Sequence, residues 1–307
     1  MIDYSVHLLA LRIFVSCIGL VGNVMLLLFI FGTRLSHIKT YEMFLMGLAV
    51  SNLEEIITIN VYDLLIHQAS YTIDRWSCHF LKFLTVFGEN TSILFTVLIS
   101  IFRYQKLRNA TKRVSLTISM DSIRSAWMLS GICVILSVLV SLPIFFIDPQ
   151  DSSRNMTRND SSCSPDFFQC SNNDCPFLNR SYKVIFITVC HLLPLVIVTF
   201  TGCLILNVLL GQRKMVTPVA SVSGSSSFSK TFIDPRIQRS TAAVLAAMGL
   251  FQVDWTLYSI LQLNFSPIDV PIWAEVEFFI SISYTSFSPY VYGVGSNLFT
   301  FRNLIKK

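Results

Sequence analysis

Charge is scarce in this sequence. Asp and Glu number 18 and Lys and Arg 23 in 307 residues, 13% together, about half of what a water-soluble domain carries. No stretch is both basic and polar enough to hold a nucleic acid, and no Gly-rich phosphate loop occurs. No internal repeat of the kind that builds a transporter from duplicated halves is present. No nucleophile–base pair or metal-ligand cluster can be assembled from the five His and the cysteines of the apolar segments, so no enzymatic activity, metal or cofactor is expected. What fills the chain is apolar: 53% hydrophobic residues, 25 Phe against 4 Trp, and a mean hydropathy of +0.61. That is more apolar surface than a water-soluble core can use, and it points to a membrane protein.

A bilayer core requires about 20 consecutive, mostly apolar residues per helix. Seven such runs occur, at about 8–31, 41–65, 78–102, 123–147, 182–210, 241–263 and 272–294. The first has no basic leader and no small-residue cleavage site, and it is long enough to span, so it reads as a first helix and not as a signal peptide. The expected fold is all-α: a single seven-transmembrane helix bundle over 1–307. The last part, 295–307, is a short amphipathic helix lying in the interface, with Leu298, Phe299, Phe301, Leu304 and Ile305 towards lipid and Arg302, Lys306 and Lys307 towards phosphates. The segment 211–238 holds a Ser/Gly run and two prolines and is expected to be mobile.

Seven spans put the termini on opposite sides. With the N-terminus outside, 16 of the 23 Lys and Arg fall on the inner side, as the positive-inside rule requires. The sequons at Asn155, Asn159 and Asn179 then lie in the outer loop between spans four and five, where N-glycosylation is possible. Cys78, Cys163, Cys170 and Cys175 map to the same oxidising side, whereas Cys17, Cys133, Cys190 and Cys203 lie within spans. Four outer cysteines allow three pairings. Cys78 with Cys175 is the preferred one, with Cys163 and Cys170 as a second possible pair, and such a loop would form a lid over the bundle.

Particular residues at particular depths narrow the reading. Gly22-Asn23 stands in span one, Leu48-Ala-Val-Ser-Asn52-Leu in span two and Phe102-Arg103-Tyr104 at the end of span three. Trp127, Pro194, Phe251-Gln-Val-Asp254-Trp255 and Ser288-Pro289-Tyr-Val-Tyr292 follow in spans four to seven. In this order the set resembles the rhodopsin-like (class A) G protein-coupled receptors. Gly88 through Ser100-Ile-Phe-Arg103, Ser286-Phe-Ser-Pro289 and the proline-free sixth span resemble, within that family, the vomeronasal type 1 receptors and the fish type-A olfactory receptors. The family usually has Asp where Asn52 stands, an acid at Phe102, Asn at Ser288 and Pro at Leu257. These departures count against an internal sodium site and move any hinge in span six elsewhere, such as Gly249. The resemblance implies a plasma-membrane receptor of chemosensory neurons that couples to a heterotrimeric G protein, with membrane lipids around it and a pheromone- or odorant-like small molecule as ligand. It implies an activation switch of Arg103, Tyr104, Asn52, Pro289 and Tyr292.

Ionisable residues inside spans are costly and usually face the bundle interior. Glu54, Glu55, Glu89, Asp254 and Glu277 are such residues. Glu89 lies eleven residues after Cys78, about three helical turns into the bundle. It serves either as a ligand contact or as internal glue hydrogen-bonded to its neighbours. Trp255 and Tyr258 form the aromatic floor and wall of the expected pocket, with Thr85, Gly88, Gln262, Glu277 and Ser281 as further lining. Ile282 stands where an opsin carries its retinal lysine, and Thr85 where aminergic receptors carry Asp, so a Schiff-base chromophore is excluded and an amine would need Glu89 or Glu277. A rhodopsin-like receptor for a peptide or lipid, a bitter taste receptor and, from a different class, a multi-span transporter or channel are the alternatives.

Overall fold

The computed structural model describes residues 2–32, 39–63, 74–112, 122–146, 168, 176–214, 235–264 and 273–295. Seven helical rods account for nearly all of them. They are α1 (Ile2–Gly32), α2 (Thr40–Asp63), α3 (Arg75–Lys112), α4 (Ile123–Ser141), α5, α6 (Pro235–Asn264) and α7 (Trp273–Gly295). α5 is composite: α-helix over Phe177–Phe186, π-helix over Ile187–Leu192, then α-helix over Leu193–Lys214. No strand occurs among the described residues. The segment 295–307, expected as an interfacial helix, lies outside them beyond Gly295.

Each departure from the apolar runs has a local cause. α3 continues ten residues past Phe102 to Lys112, because Arg103–Lys112 is polar yet contains neither Gly nor Pro; hydropathy marks the bilayer, not the end of a helix. α4 stops at Ser141 and tightens into a 3-10 turn over Leu142–Phe146. Pro143 lies in that turn and cannot supply the amide an α-helix needs there. In α5 the wide π segment precedes Pro194. Proline has no N–H for the carbonyl of Cys190 and its ring crowds that carbonyl, so the helix opens locally instead of kinking.

Among the described residues, six helices are long and apolar enough to cross a membrane; α7 is not one of them. The reason is its run of hydroxyls between Ser281 and Tyr292, nearly all of which find partners inside the bundle. Ser281 donates to Glu55, Ser283 to Asp254 (2.7 Å), Ser286 to the Val15 carbonyl and Tyr290 to the Ile18 carbonyl (2.8 Å). Buried polar groups need such partners.

α3 is the axis of the bundle, packed on α2, α4, α5 and α6. The rest of the apolar surface points outward, as in Phe14, Leu28, Trp127, Ile135, Val196 and Phe200. Such broad exposure is ordinary for side chains that meet lipid and abnormal in water. Halfway along, four helices meet at one polar knot. Asn52 donates to Asn23 Oδ1 (3.1 Å) and Ser288 Oγ (3.3 Å), Ser92 donates to Asn52 Oδ1 (2.7 Å), and Asn23 donates to the carbonyls of Gly19 and Thr285 (both 2.9 Å). Gly88 permits the close approach of α3 to α2: a Cβ there would lie 3.2 Å from the Glu55 Cα. At the Cys78 end, exposed Asp74 caps α3 by accepting from the Ser77 amide and hydroxyl. These bonds to its charged form hold its carboxyl below the usual 3.8. A lowered value means the cap is whole above that ordinary value and is lost as pH falls through the lowered one.

Candidate functional site

The bundle has two ends of different chemistry. At the Cys78 end an aromatic cage forms around His191, which the π segment of α5 aims inward. Its ring lies 4.9 Å from Trp255, 5.0 Å from Tyr258 and 5.2 Å from Phe186, centroid to centroid. Glu89 on α3 brings Oε1 to 3.5 Å from His191 Nε2, and both side chains are buried. On the far side Gln262 donates to Glu277 Oε1 at 2.6 Å, and the Tyr258 hydroxyl reaches the same oxygen at 3.3 Å. Glu55 and Glu277 are near enough to act electrostatically on Glu89. Within this cluster Glu89 Oε1, both nitrogens of His191 and Trp255 Nε1 are buried and have no hydrogen-bond partner. Each would cost about 1–3 kcal/mol if left so.

Of the residues expected to line a pocket, Glu89, Trp255, Tyr258, Gln262 and Glu277 come together here. The other three are occupied elsewhere. Ser281 donates to Glu55 Oε1 at 2.9 Å. Thr85 bonds back to the Leu81 carbonyl. Gly88 faces Glu54 and Glu55 on α2 as a packing residue, a placement that corrects its reading as lining. Glu54 and Glu55, adjacent in sequence, diverge: Glu55 is fully buried against Ser281, while Glu54 is half-buried beside Thr58. His191 itself was not legible, since a lone His in an apolar run reads as packing. The available signal was Pro194 three residues on, which disturbs the helix register at that point.

At the opposite end, Arg103 is buried and its guanidinium carbon lies 3.4 Å from the centroid of the Tyr41 ring on α2. Tyr41 in turn stacks on Phe102 at 6.3 Å with the planes 17° apart. An aromatic column joins the two ends. Trp255 meets Phe251 (6.2 Å), and Phe251 meets Tyr284 edge-on (5.5 Å). Tyr284 shares hydrogen bonds with Thr96 (2.7 Å) and Tyr292 (3.5 Å). Tyr292 is within electrostatic reach of Tyr41 and Arg103. Tyr104 packs half-buried against the core, and Pro289 lies inside α7. Also at this end, a half-open cleft of about 380 Å³ lies between α5 and α6, lined by Leu206, Leu209, Leu210, Gln238, Arg239, Ala242 and Leu245.

Cys78 is disulfide-bonded, and Cys17, Cys133, Cys190 and Cys203 are free. Cys163, Cys170 and Cys175 lie outside the described residues, as do Asn155 and Asn159. Asn179 sits in the first turn of α5 and is buried, so its amide is not presented for a glycan. Among the described residues no group of three or more His, Cys, Asp or Glu could hold a metal ion.

A bundle of membrane-spanning helices with a buried polar cage at one end and a buried arginine at the other has the layout of a multi-pass receptor. The family model for the 7 transmembrane receptor (rhodopsin family) matches residues 22–291. That is most of the chain, and the protein belongs to the rhodopsin family of seven-transmembrane receptors. Among curated proteins no match is found.

Proposed function

We propose that this receptor is a chemosensory one of the vomeronasal type 1 kind, taking a small pheromone- or odorant-like molecule in the His191 cage and activating a heterotrimeric G protein at the Arg103 end. It resides in the plasma membrane with the N-terminus outside. Asn155 and Asn159 carry glycans, and Cys78 pairs with Cys175 to tie the outer loop to α3. The observation that carries this reading is the aromatic column from His191 to Tyr292. It gives a ligand that shifts Trp255 a packed route to the residues around Arg103, and packed cores respond to such shifts by switching between discrete arrangements. A ligand acts by binding the open arrangement better than the closed one. In that arrangement α5 and α6 part at the Arg103 end and the guanidinium leaves Tyr41 for the G protein.

The test is expression in cells with a promiscuous G protein and a calcium readout. The cells are challenged with pools of small amines, aromatic acids and steroid-like acids beside an Arg103→Ala control. A dose-dependent response that disappears in the control at equal surface expression is the expected result. Silence from a well-expressed receptor, with responses to peptide or lipid pools, overturns the small-molecule reading; a current independent of G protein overturns coupling.

A further inference from the structure

We infer that the cleft between α5 and α6 at the Arg103 end is a binding site for an anionic phospholipid, with the phosphate at Arg239 and an acyl chain along the leucines beneath it. This goes beyond the receptor reading above; only the assignment to the inner leaflet rests on the orientation given there. Each helix brings one stripe to the cleft. Leu206, Leu209 and Leu210 recur at helical spacing on α5, and Gln238, Ala242 and Leu245 do so on α6. The membrane-crossing part of α6 begins at Gln238, and that of α5 ends at Gly211. Gln238, Arg239 and Leu210 therefore lie at the same edge of the bilayer, and Leu245 lies about 9 Å deeper along its helix. The cleft thus runs from headgroup level into hydrocarbon, polar at its mouth and apolar below.

Three observations decide which molecule fits. First, Leu206, Leu210, Arg239 and Ala242 are exposed, whereas Ile205, Ser240, Thr241 and Val244 on the inward faces of the same helices are buried. The cleft opens away from the bundle, towards lipid, and not into the space beside Arg103 that a G protein would enter. Second, the charge of Arg239 is the only one among the lining residues, and no described residue pairs with its guanidinium. A guanidinium holds phosphate through two parallel N–H···O bonds, and Gln238 adds an amide donor beside it. No carboxylate stands in the lining to repel the phosphate. Third, the leucines give such a ligand a tail site, and an arginine that served only to orient the chain would need no cleft below it. Basic pockets between membrane helices on the cytoplasmic side suit the anionic headgroups which that leaflet supplies. The open side lets the rest of the lipid stay in the bilayer.

The receptor is reconstituted in nanodiscs that hold equal amounts of phosphatidylserine and phosphatidylcholine in both leaflets, so its orientation does not enter. Native mass spectrometry then counts the lipids that stay bound on release. The wild type is expected to retain phosphatidylserine about fivefold over phosphatidylcholine, the weight of one basic residue at a membrane surface. Arg239→Gln abolishes that preference and Arg239→Lys keeps most of it. Arg124→Gln, which removes an exposed arginine from the same membrane edge at the start of α4, leaves it unchanged. Ala242→Trp fills the cleft with the charge intact and lowers phosphatidylserine retention to the level of Arg239→Gln. Thermal melting in the same nanodiscs verifies that each variant is folded, and the two arginine positions decide the matter should Ala242→Trp not fold. No preference in the wild type, a preference unchanged in folded Arg239→Gln, an equal loss in Arg124→Gln, or full retention by folded Ala242→Trp each overturns the proposal. So does a receptor dimer that Ala242→Trp dissociates, since the cleft would then belong to a second copy. None of these outcomes bears on the cellular assay, which tests the receptor reading by itself.

Discussion

At the residue scale, Arg103 is held against a ring, and among the described residues no carboxylate pairs with it. Its sequence neighbour is Phe102 where the family usually has an acid, and the facing side chain on α2 is Tyr41, 3.4 Å from the guanidinium carbon. A desolvated cation–π contact contributes about 2 kcal/mol, enough to weight a two-state equilibrium by more than tenfold. Tyr41→Ala is therefore expected to raise ligand-independent signalling several-fold, and Tyr41→Phe to leave it near wild type, when second-messenger levels are normalised to surface expression. Basal signalling unchanged in Tyr41→Ala would mean that the ring merely covers Arg103. Arg103 could be read from the sequence because its type and depth are both diagnostic. Tyr41 could not, since a Tyr at a helix start is ordinary and its partner lies 62 positions away. Asn52 shows the same asymmetry: its motif was legible, but its bonds to Asn23, Ser92 and Ser288 depend on how four helices meet.

At the element scale, the helices follow from apolar length and their irregularities from proline. Six of the seven runs were legible because lipid demands a long, nearly uncharged stretch, whereas α7 is held by polar partners and falls short of that apolarity. The π segment of α5 was not, because Pro194 permits a kink, a wide turn or a straight helix according to what packs beside it. That one ambiguity concealed His191 and, with it, the centre of the candidate site. The α2–α3 contact has the opposite character, being fixed by a single absent side chain. Gly88→Ala places a methyl 3.2 Å from Glu55 Cα and against the Glu54 carboxylate. Overpacking of this sort costs about 1–3 kcal/mol. The variant is expected to melt several degrees lower in detergent and to reach the cell surface less well. An unchanged melting temperature would show that α2 and α3 part without penalty.

At the scale of the whole molecule, orientation is the property on which the functional proposal depends, because it decides which end meets ligand and which meets G protein. The double variant Asn155→Gln/Asn159→Gln is expected to abolish the gel shift that an N-glycosidase produces on the wild-type chain. No shift in the wild type would place that loop on the cytoplasmic side, with the cage facing the cell interior.

The hydroxyl-rich face of α7 has a further consequence, for how the chain is made. Eight Ser, Thr and Tyr residues from 281 to 292 leave this helix too polar to settle in lipid by itself, and six of them are hydrogen-bonded to α1, α2, α3 or α6. The last helix therefore enters the bilayer as a client of those already there. Placed alone in a membrane-insertion reporter, Trp273–Gly295 is expected to pass through into the lumen, whereas Ile2–Gly32 is retained. Assembly thus runs in the order of synthesis, and mutations in α1 or α2 that remove a partner for α7 would be felt first at biogenesis, as a seventh helix that never takes its place.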